Sequence, residues 1–207
     1  MPARSAGEPA GPLRLRLATE DDAESLLAIY RPIVEHTHIS FELETPSVEE
    51  VARRIREHGS LAPYLVCEQD GRVLGYAYAA PFRPRRAYRF TVETTVYVAE
   101  AGRRRGIASA LCRALLDGVR AQAFVTAIAG IALPNEASVA LHERLGFRRA
   151  ALLPAVGFKL GAWHDVGWWS LRLREPQSPP SEPLPPDRLA ALPDILERAE
   201  HPLRSGR

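Results

Sequence analysis

The stretch Thr91 to Leu116, TVETTVYVAEAGRRRGIASALCRALL, decides how the rest of the chain is read. Its opening residues alternate, with Val92, Thr94, Val96 and Val98 on one side and Glu93, Thr95 and Tyr97 on the other, which is the period-two signature of a strand. The turn Arg103-Arg104-Arg105-Gly106-Ile107-Ala108 follows, and Ile107, Leu111, Leu115 and Val119 then form the stripe of a core-facing helix. A strand feeding a glycine-containing turn at a helix N-terminus presents unpaired backbone N–H groups and the positive end of the helix dipole. That is an anion site suited to a phosphate or pyrophosphate.

Working outward toward the C-terminus, Phe124 to Leu133 is an apolar strand, and Asn135 caps a helix with Val139, Leu141 and Leu145 inward and Gly146 at its end. Arg148 to Leu153 and Trp163 to Leu173 read as a last pair of strands, separated by a loop from Pro154 to Ala162. Toward the N-terminus, Pro81 to Tyr88 (PFRPRRAY) breaks the sheet, and Asp70-Gly71 is a hairpin signal between strands Tyr64 to Glu68 and Val73 to Ala80. Ser47 caps a helix running to about His58, with Val51 and Ile55 inward and Gly59 as its stop. The polar and aromatic stretch His36 to Pro46 is long enough for a functional loop. Thr19 and Asp22 start an earlier helix, which carries Ala23, Leu26, Leu27 and Tyr30 to about Val34. Leu13 to Leu17, alternating with Arg14 and Arg16, is the first strand.

These elements place one domain over residues 13–174, after a small, Gly/Pro-containing segment 1–12 expected to be disordered. The tail 175–207 opens with PQSPPSEPLPPD, six prolines in twelve residues, a stiff extended linker. Beyond it Leu189, Leu192, Ile195 and Leu196 are spaced for one short helix, free to dock on the domain, to bind a partner or to fray.

Composition excludes several classes. Twenty-seven basic residues against 25 acidic leave a net charge of +2, so no bulk charge argues for nucleic acid. Every basic residue except Lys159 is an arginine. No run approaches the ~18 apolar residues of a membrane span, and an apolar signal core is missing from the N-terminus, so the expected location is cytoplasmic with no membrane partner. Cys67 and Cys112, the only cysteines, lie in apolar runs where reduced, buried thiols are expected. His36 and His38 find no third ligand at useful spacing, so no metal is expected.

The element order resembles the GCN5-related N-acetyltransferase (GNAT) superfamily, and RRRGIA is similar to its pyrophosphate-binding loop pattern, Arg/Gln-x-x-Gly-x-Gly/Ala. Four further runs, AYRFTVETTVYV, LPNEASVALHERLGF, VGFKLGAWHDVGWW and AYAAP, resemble the phosphinothricin acetyltransferases and their methionine sulfoximine and sulfone acetylating relatives. The resemblance spans Leu13 to Leu173. It implies an α/β (α+β) GNAT fold, a mixed central sheet of about seven strands flanked by about four helices.

The same resemblance implies acetyl-CoA as co-substrate, a small amino-acid-like acceptor and a homodimer. An amine attacks a thioester only as the free base, so a base is required, and Glu93 occupies the family's general-base position. The backbone of Val96, Tyr97 and Val98 is implied to bind the pantetheine arm. Arg103, Arg104, Arg105, Gly106, Ile107, Ala108 and Ser109 are implied to wrap the pyrophosphate, the alternative being an Arg-rich surface turn or a nucleic-acid patch. Asn135 combines its cap with a pantetheine contact. His142 stands where many superfamily members carry a tyrosine that protonates the departing thiolate, so an acid, a base-assisting or a structural role is open. Phe41, Arg83, Arg85 and Tyr88 are the candidate acceptor walls, aromatic rings for the side chain and arginine for an anionic head. The cluster Gly161 to Val166 matches the family without an evident mechanism. Two rivals remain: acetylation of another small amine, and a non-catalytic acyl-CoA sensor.

Overall fold

The Asp70-Gly71 pair adopts left-handed backbone (φ 52° and 78°), and the chain reverses there from β2 (Leu65–Gln69) into β3 (Arg72–Pro81). This is a computed structural model that describes residues 11–205. β1 (Arg14–Leu17) pairs with β2, and β4 (Thr91–Val98) pairs with β3, all antiparallel. β5 (Thr126–Leu133) lies parallel to β4, and the hairpin of β6 (Arg148–Lys159) and β7 (Ala162–Arg172) completes a seven-stranded sheet in the order β1-β2-β3-β4-β5-β7-β6.

Each face is covered by the helices that the apolar spacing announces. α1 (Ala23–His36) and α2 (Val48–Leu61) bury Leu26, Leu27, Val51 and Ile55 against Val66 and Tyr76. α3 (Ile107–Ala121) covers the other face, with Ile107, Leu111, Leu115 and Val119 at 1% exposure or less against Leu65, Ala77 and Val92. α4 (Glu136–Arg144) follows β5. Cys67 and Cys112 are buried and free, and burial pushes both thiols up to about 12. Among the described residues no helix is long and apolar enough to cross a membrane.

The sheet is incomplete at its centre. β4 and β5 pair only at Thr91–Thr126, Val92–Ala127 and Glu93–Ile128. Beyond Glu93 the strands part, and the Thr94 hydroxyl reaches across to the Ile128 carbonyl at 3.2 Å. From there the edge of β4 that faces β5 has no partner strand.

Three sequence expectations are corrected. Gly59 does not stop α2, which runs on to Leu61; there the Leu61 carbonyl accepts the Gln122 Nε2–H at 3.0 Å. Pro154 to Lys159 is strand rather than loop. A register shift between Leu153 and Gly157 absorbs the proline, and the Ala155 N–H donates to Asp165 Oδ1 at 2.8 Å. The first strand after α3 begins at Thr126 instead of Phe124. Of the outcomes left open for the tail, docking is the one seen: a fifth helix, α5 (Leu192–Ser205), packs on the domain and buries Leu192, Ile195 and Ala199. Residues 1–10 of the N-terminal segment lie outside the described residues; Gly11 is held by hydrogen bonds to the Asp70 carboxylate (3.1 Å) and from Gln69 Nε2 (2.6 Å).

Candidate active site

Backbone conformation shapes the turn between β4 and α3. Gly102 closes a short 3₁₀ turn after β4, and a Cβ there would stand 2.9 Å from the Leu74 carbonyl oxygen, so the turn requires glycine. Arg104 is left-handed (φ 59°) and Gly106 is the left-handed N-cap of α3 (φ 80°). Arg103, Arg104, Arg105 and Gly106 are exposed, whereas Ile107 is buried in the core, so it offers its backbone but no side chain to a ligand. Ala108 and Ser109 are half-buried in the first turn of the helix. Three arginines and a helix N-terminus thus meet at the end of the strand that carries Glu93.

The parted strands enclose a cleft of ≈80 Å³ bordered by Val96, Tyr97, Gly130, Asn135, Ser138 and His142. A larger cavity of ≈910 Å³ lies between α1 and the Val98–Arg103 segment, but it contains neither Glu93 nor His142. His142 lines the smaller opening, and Glu93 stands beside it against Gly130, another of its lining residues. Asn135 accepts the Ser138 N–H at 3.1 Å and so caps α4 while lining the cleft. His142 is 5% exposed, edge-on to Phe147 with ring centres 5.1 Å apart. Its Nδ1 lies 2.8 Å from the Ser138 carbonyl oxygen. A carbonyl only accepts, so Nδ1 carries the proton and Nε2 keeps its lone pair. Burial holds the His142 pKa below its usual value despite that hydrogen bond, which leaves the ring neutral at pH 7.

Glu93 stands where the strand pairing ends. A Cβ on Gly130 would lie 3.2 Å from Glu93 Oε1 and 3.8 Å from the Trp168 ring, so this bare position of β5 is what admits the carboxylate. Burial raises the Glu93 pKa, and the Arg83 charge partly opposes the rise. The Arg83 guanidinium lies 4.2 Å from the Phe82 ring centre and 5.3 Å from that of Trp168. Tyr88 meets Phe82 edge-on at 5.9 Å. Arg83 thus stands between Glu93 and the aromatic pair Phe82 and Trp168, and Arg83, Arg85 and Tyr88 together border a cavity of ≈170 Å³ with Leu61 and Phe124.

The loop between α1 and α2 crosses this opening and is fastened to the β6–β7 hairpin. The His38 ring stacks on His164 at 4.4 Å, and its Nε2 lies 3.0 Å from the Pro134 carbonyl oxygen. Lys159 donates through Nζ to the Ser40 carbonyl at 2.7 Å, and the Ser40 hydroxyl bonds the Tyr30 hydroxyl at 2.6 Å. Phe41 lies on Gly157, where no side chain intervenes. Gly161 to Val166 thus acquires a structural part, since His164 supplies the stacking surface for the loop. Sequence reading passed over Phe82, Trp168 and Lys159. The alternation in Trp168-Trp169 was the available signal, because adjacent strand residues face opposite sides and only Trp169 joins the core.

Comparison with known proteins bears on the family and the fold. Residues 15–168 match the family model described as an acetyltransferase (GNAT) domain. The chain is 39% identical over 168 residues to a phosphinothricin N-acetyltransferase of Streptomyces viridochromogenes, covering 81% of this chain and 92% of that one. It is 37% identical over 171 residues to an L-methionine sulfoximine/L-methionine sulfone acetyltransferase of Pseudomonas aeruginosa, covering 80% and 98%. Among solved structures, a GNAT superfamily phosphinothricin acetyltransferase from Sinorhizobium meliloti in complex with AcCoA superposes with a TM-score of 0.79 at 38% identity, covering 86% of this chain and 98% of that one.

Proposed function

The chain belongs to the GNAT acetyltransferase family, and from that premise we propose that it acetylates the α-amine of phosphinothricin, methionine sulfoximine or methionine sulfone in a ternary complex with acetyl-CoA. The observation that carries the reading is the Glu93 carboxylate at the point where the sheet opens, against Gly130 and beside Arg83 and Trp168.

The residues fit the donor: the free edge of β4 at Val96, Tyr97 and Val98 suits the amide-bearing pantetheine arm, Asn135 lines its path, and the turn from Arg103 to Ser109 suits the pyrophosphate. The donor supplies an acetyl thioester. Glu93, whose raised pKa keeps it a competent base near neutrality, takes a proton from the acceptor ammonium through a water. The freed amine then bonds to the thioester carbonyl carbon, the C–S bond breaks, the nitrogen of the new C–N bond gives up its second proton to the departing thiolate through the water, and Glu93 releases the first proton to solvent. Backbone N–H groups of the open β4 edge polarise the carbonyl. Neutral His142 has no proton on Nε2 to donate at pH 7, so its part is to accept a hydrogen bond that orients the water. Arg83 meets the acceptor's anionic head, and Phe41, Tyr88 and Trp168 enclose its side chain.

The molecule acts as a homodimer. β6 is an edge strand that exposes Leu152, Leu153, Val156 and Phe158, and Phe158 packs on exposed Trp163 at 5.3 Å. Phe158→Glu is expected to yield monomers by light scattering.

The deciding experiment is a panel of amines monitored by CoA release. Turnover of the phosphinate and sulfone compounds supports the proposal. Turnover confined to other amino acids or polyamines overturns the acceptor assignment, and tight CoA binding without turnover of any amine points to a sensor.

A further inference from the structure

The tail beyond the matched domain runs from the acceptor side of the molecule to the donor turn. Glu182 pairs with Arg89, just before β4, at 2.6 Å. Leu184 donates its N–H to the Gln122 carbonyl at 2.8 Å and accepts from Gln122 Nε2 at 2.6 Å, at the end of α3. α5 then lies along α3, with Ile195 and Ala199 in the same core cluster as Leu111 and Leu115. Glu200 Oε1 accepts the Leu15 N–H at 2.8 Å, which ties the helix to β1 as well. At its far end Leu203 reaches Gly106: a Cβ built on that glycine would stand 3.3 Å from Leu203 Cδ2. The other flank of the turn is held through Arg105, whose Nη2 donates to Gln69 Oε1 at 2.7 Å, and Gln69 in turn bonds the Gly11 carbonyl at 2.6 Å.

We propose that α5 is a positioning element for the donor's diphosphate: Leu203, seated on Gly106, holds the turn Arg103 to Ser109 in the conformation whose backbone N–H groups bind the anion. The proposal rests on the assignment of that turn to the donor. The physical ground is preorganisation. A cradle of backbone N–H groups works only if its dihedrals are fixed, and Gly106, which follows three exposed arginines and has no side chain, has few contacts of its own to fix them. Every residue left to be ordered on binding weakens affinity. Leu203 supplies an apolar contact where Gly106 has no side chain, and the rest of α5 anchors that contact to the core. Leu203 touches neither the cleft nor Glu93, so its influence acts on donor binding alone.

The test uses the full chain and two variants, Leu203→Ala and Leu203→Met. CoA affinity is measured by calorimetry, KM is measured for each substrate, and hydrogen exchange is followed in the amides of residues 103–109. Leu203→Ala is expected to weaken CoA binding about fivefold, with faster exchange in that turn. Acceptor KM and kcat at saturating donor stay unchanged, and Leu203→Met restores wild-type binding. Equal CoA affinity in Leu203→Ala and wild type overturns the proposal, as does a loss shared between donor and acceptor or a loss that Met does not rescue. If the wild-type chain itself binds no CoA, the donor-site assignment falls instead.

Discussion

Glu93→Gln separates catalysis from folding, because the Glu93 carboxylate takes no hydrogen bond from any described residue and only the Arg83 charge favours its ionised form. Glutamine keeps the shape against Gly130 and removes the proton acceptor. Loss of a general base lowers kcat by about 10²–10⁴-fold, or about 3–5 kcal/mol in the barrier. CoA affinity is unchanged, since the phosphate turn lies at the other end of β4. Stability moves the opposite way. Burial raises the folded-state pKa above the ordinary 4.5, so the folded protein holds a proton that the unfolded chain has released between these two values. Wild-type stability therefore falls as pH rises through that window, and above it the buried charge opposes folding. The glutamine variant is expected to melt higher than wild type at pH 8, with the difference closing below pH 4.5. The acid limb of kcat/KM, centred above 4.5 in wild type, disappears in the variant. Stopped-flow CoA release and calorimetric melting at both pH values check this. Wild-type kcat in Glu93→Gln, or a lower melting temperature at pH 8, refutes the assignment of Glu93 as a buried base.

Two further predictions concern a neighbour of that group and an ion pair away from it. Gly130→Ala places a Cβ 3.2 Å from Glu93 Oε1; kcat is expected to fall about tenfold with the circular dichroism spectrum unchanged. Burial alone would raise the Asp22 pKa, but two hydrogen bonds from Arg16, each 2.7 Å, and one from the Thr19 N–H outweigh it and hold it below 3.8. The stability Asp22 contributes is thus present above 3.8 and lost as pH falls through the depressed value. Asp22→Asn should lose about 2 kcal/mol in urea titrations at pH 7, with the gap closing in strong acid.

Local rules reached some of this structure and not the rest. The β4–turn–α3 unit was legible because strand alternation, a left-handed glycine and a four-residue apolar stripe all act over short distances. The Asp70-Gly71 reversal was legible for the same reason. Gly59 misled because its intrinsic helix penalty is only about 1 kcal/mol, and the Leu61 carbonyl is secured by Gln122, 61 residues away. Pro154 misled because a register shift absorbs it and the Asp165 side chain accepts the next N–H, that of Ala155, which no local pattern reveals. The tail shows the same limit, since its stripe was visible but its partners, Gln122 for Leu184 and Leu15 for Glu200, are set by tertiary structure. At the candidate site, Glu93 stood out as a carboxylate in a core strand. The Arg83–Phe82–Trp168 wall joins two distant segments and appears only once β5 and β7 are paired.

The short register between β4 and β5 has a thermodynamic side. A sheet with pairing at only three residue pairs along its central seam leaves backbone groups of both strands in water, where a bound amide chain is able to replace solvent. A ligand seated there behaves as an eighth strand, and its binding free energy is added to the folding free energy. By mass action, donor at 100 times its dissociation constant adds about 2.7 kcal/mol to stability. The protein would then be sturdiest when charged with donor and loosest just after product leaves, so its lifetime against proteolysis would track the supply of the acyl thioester it consumes.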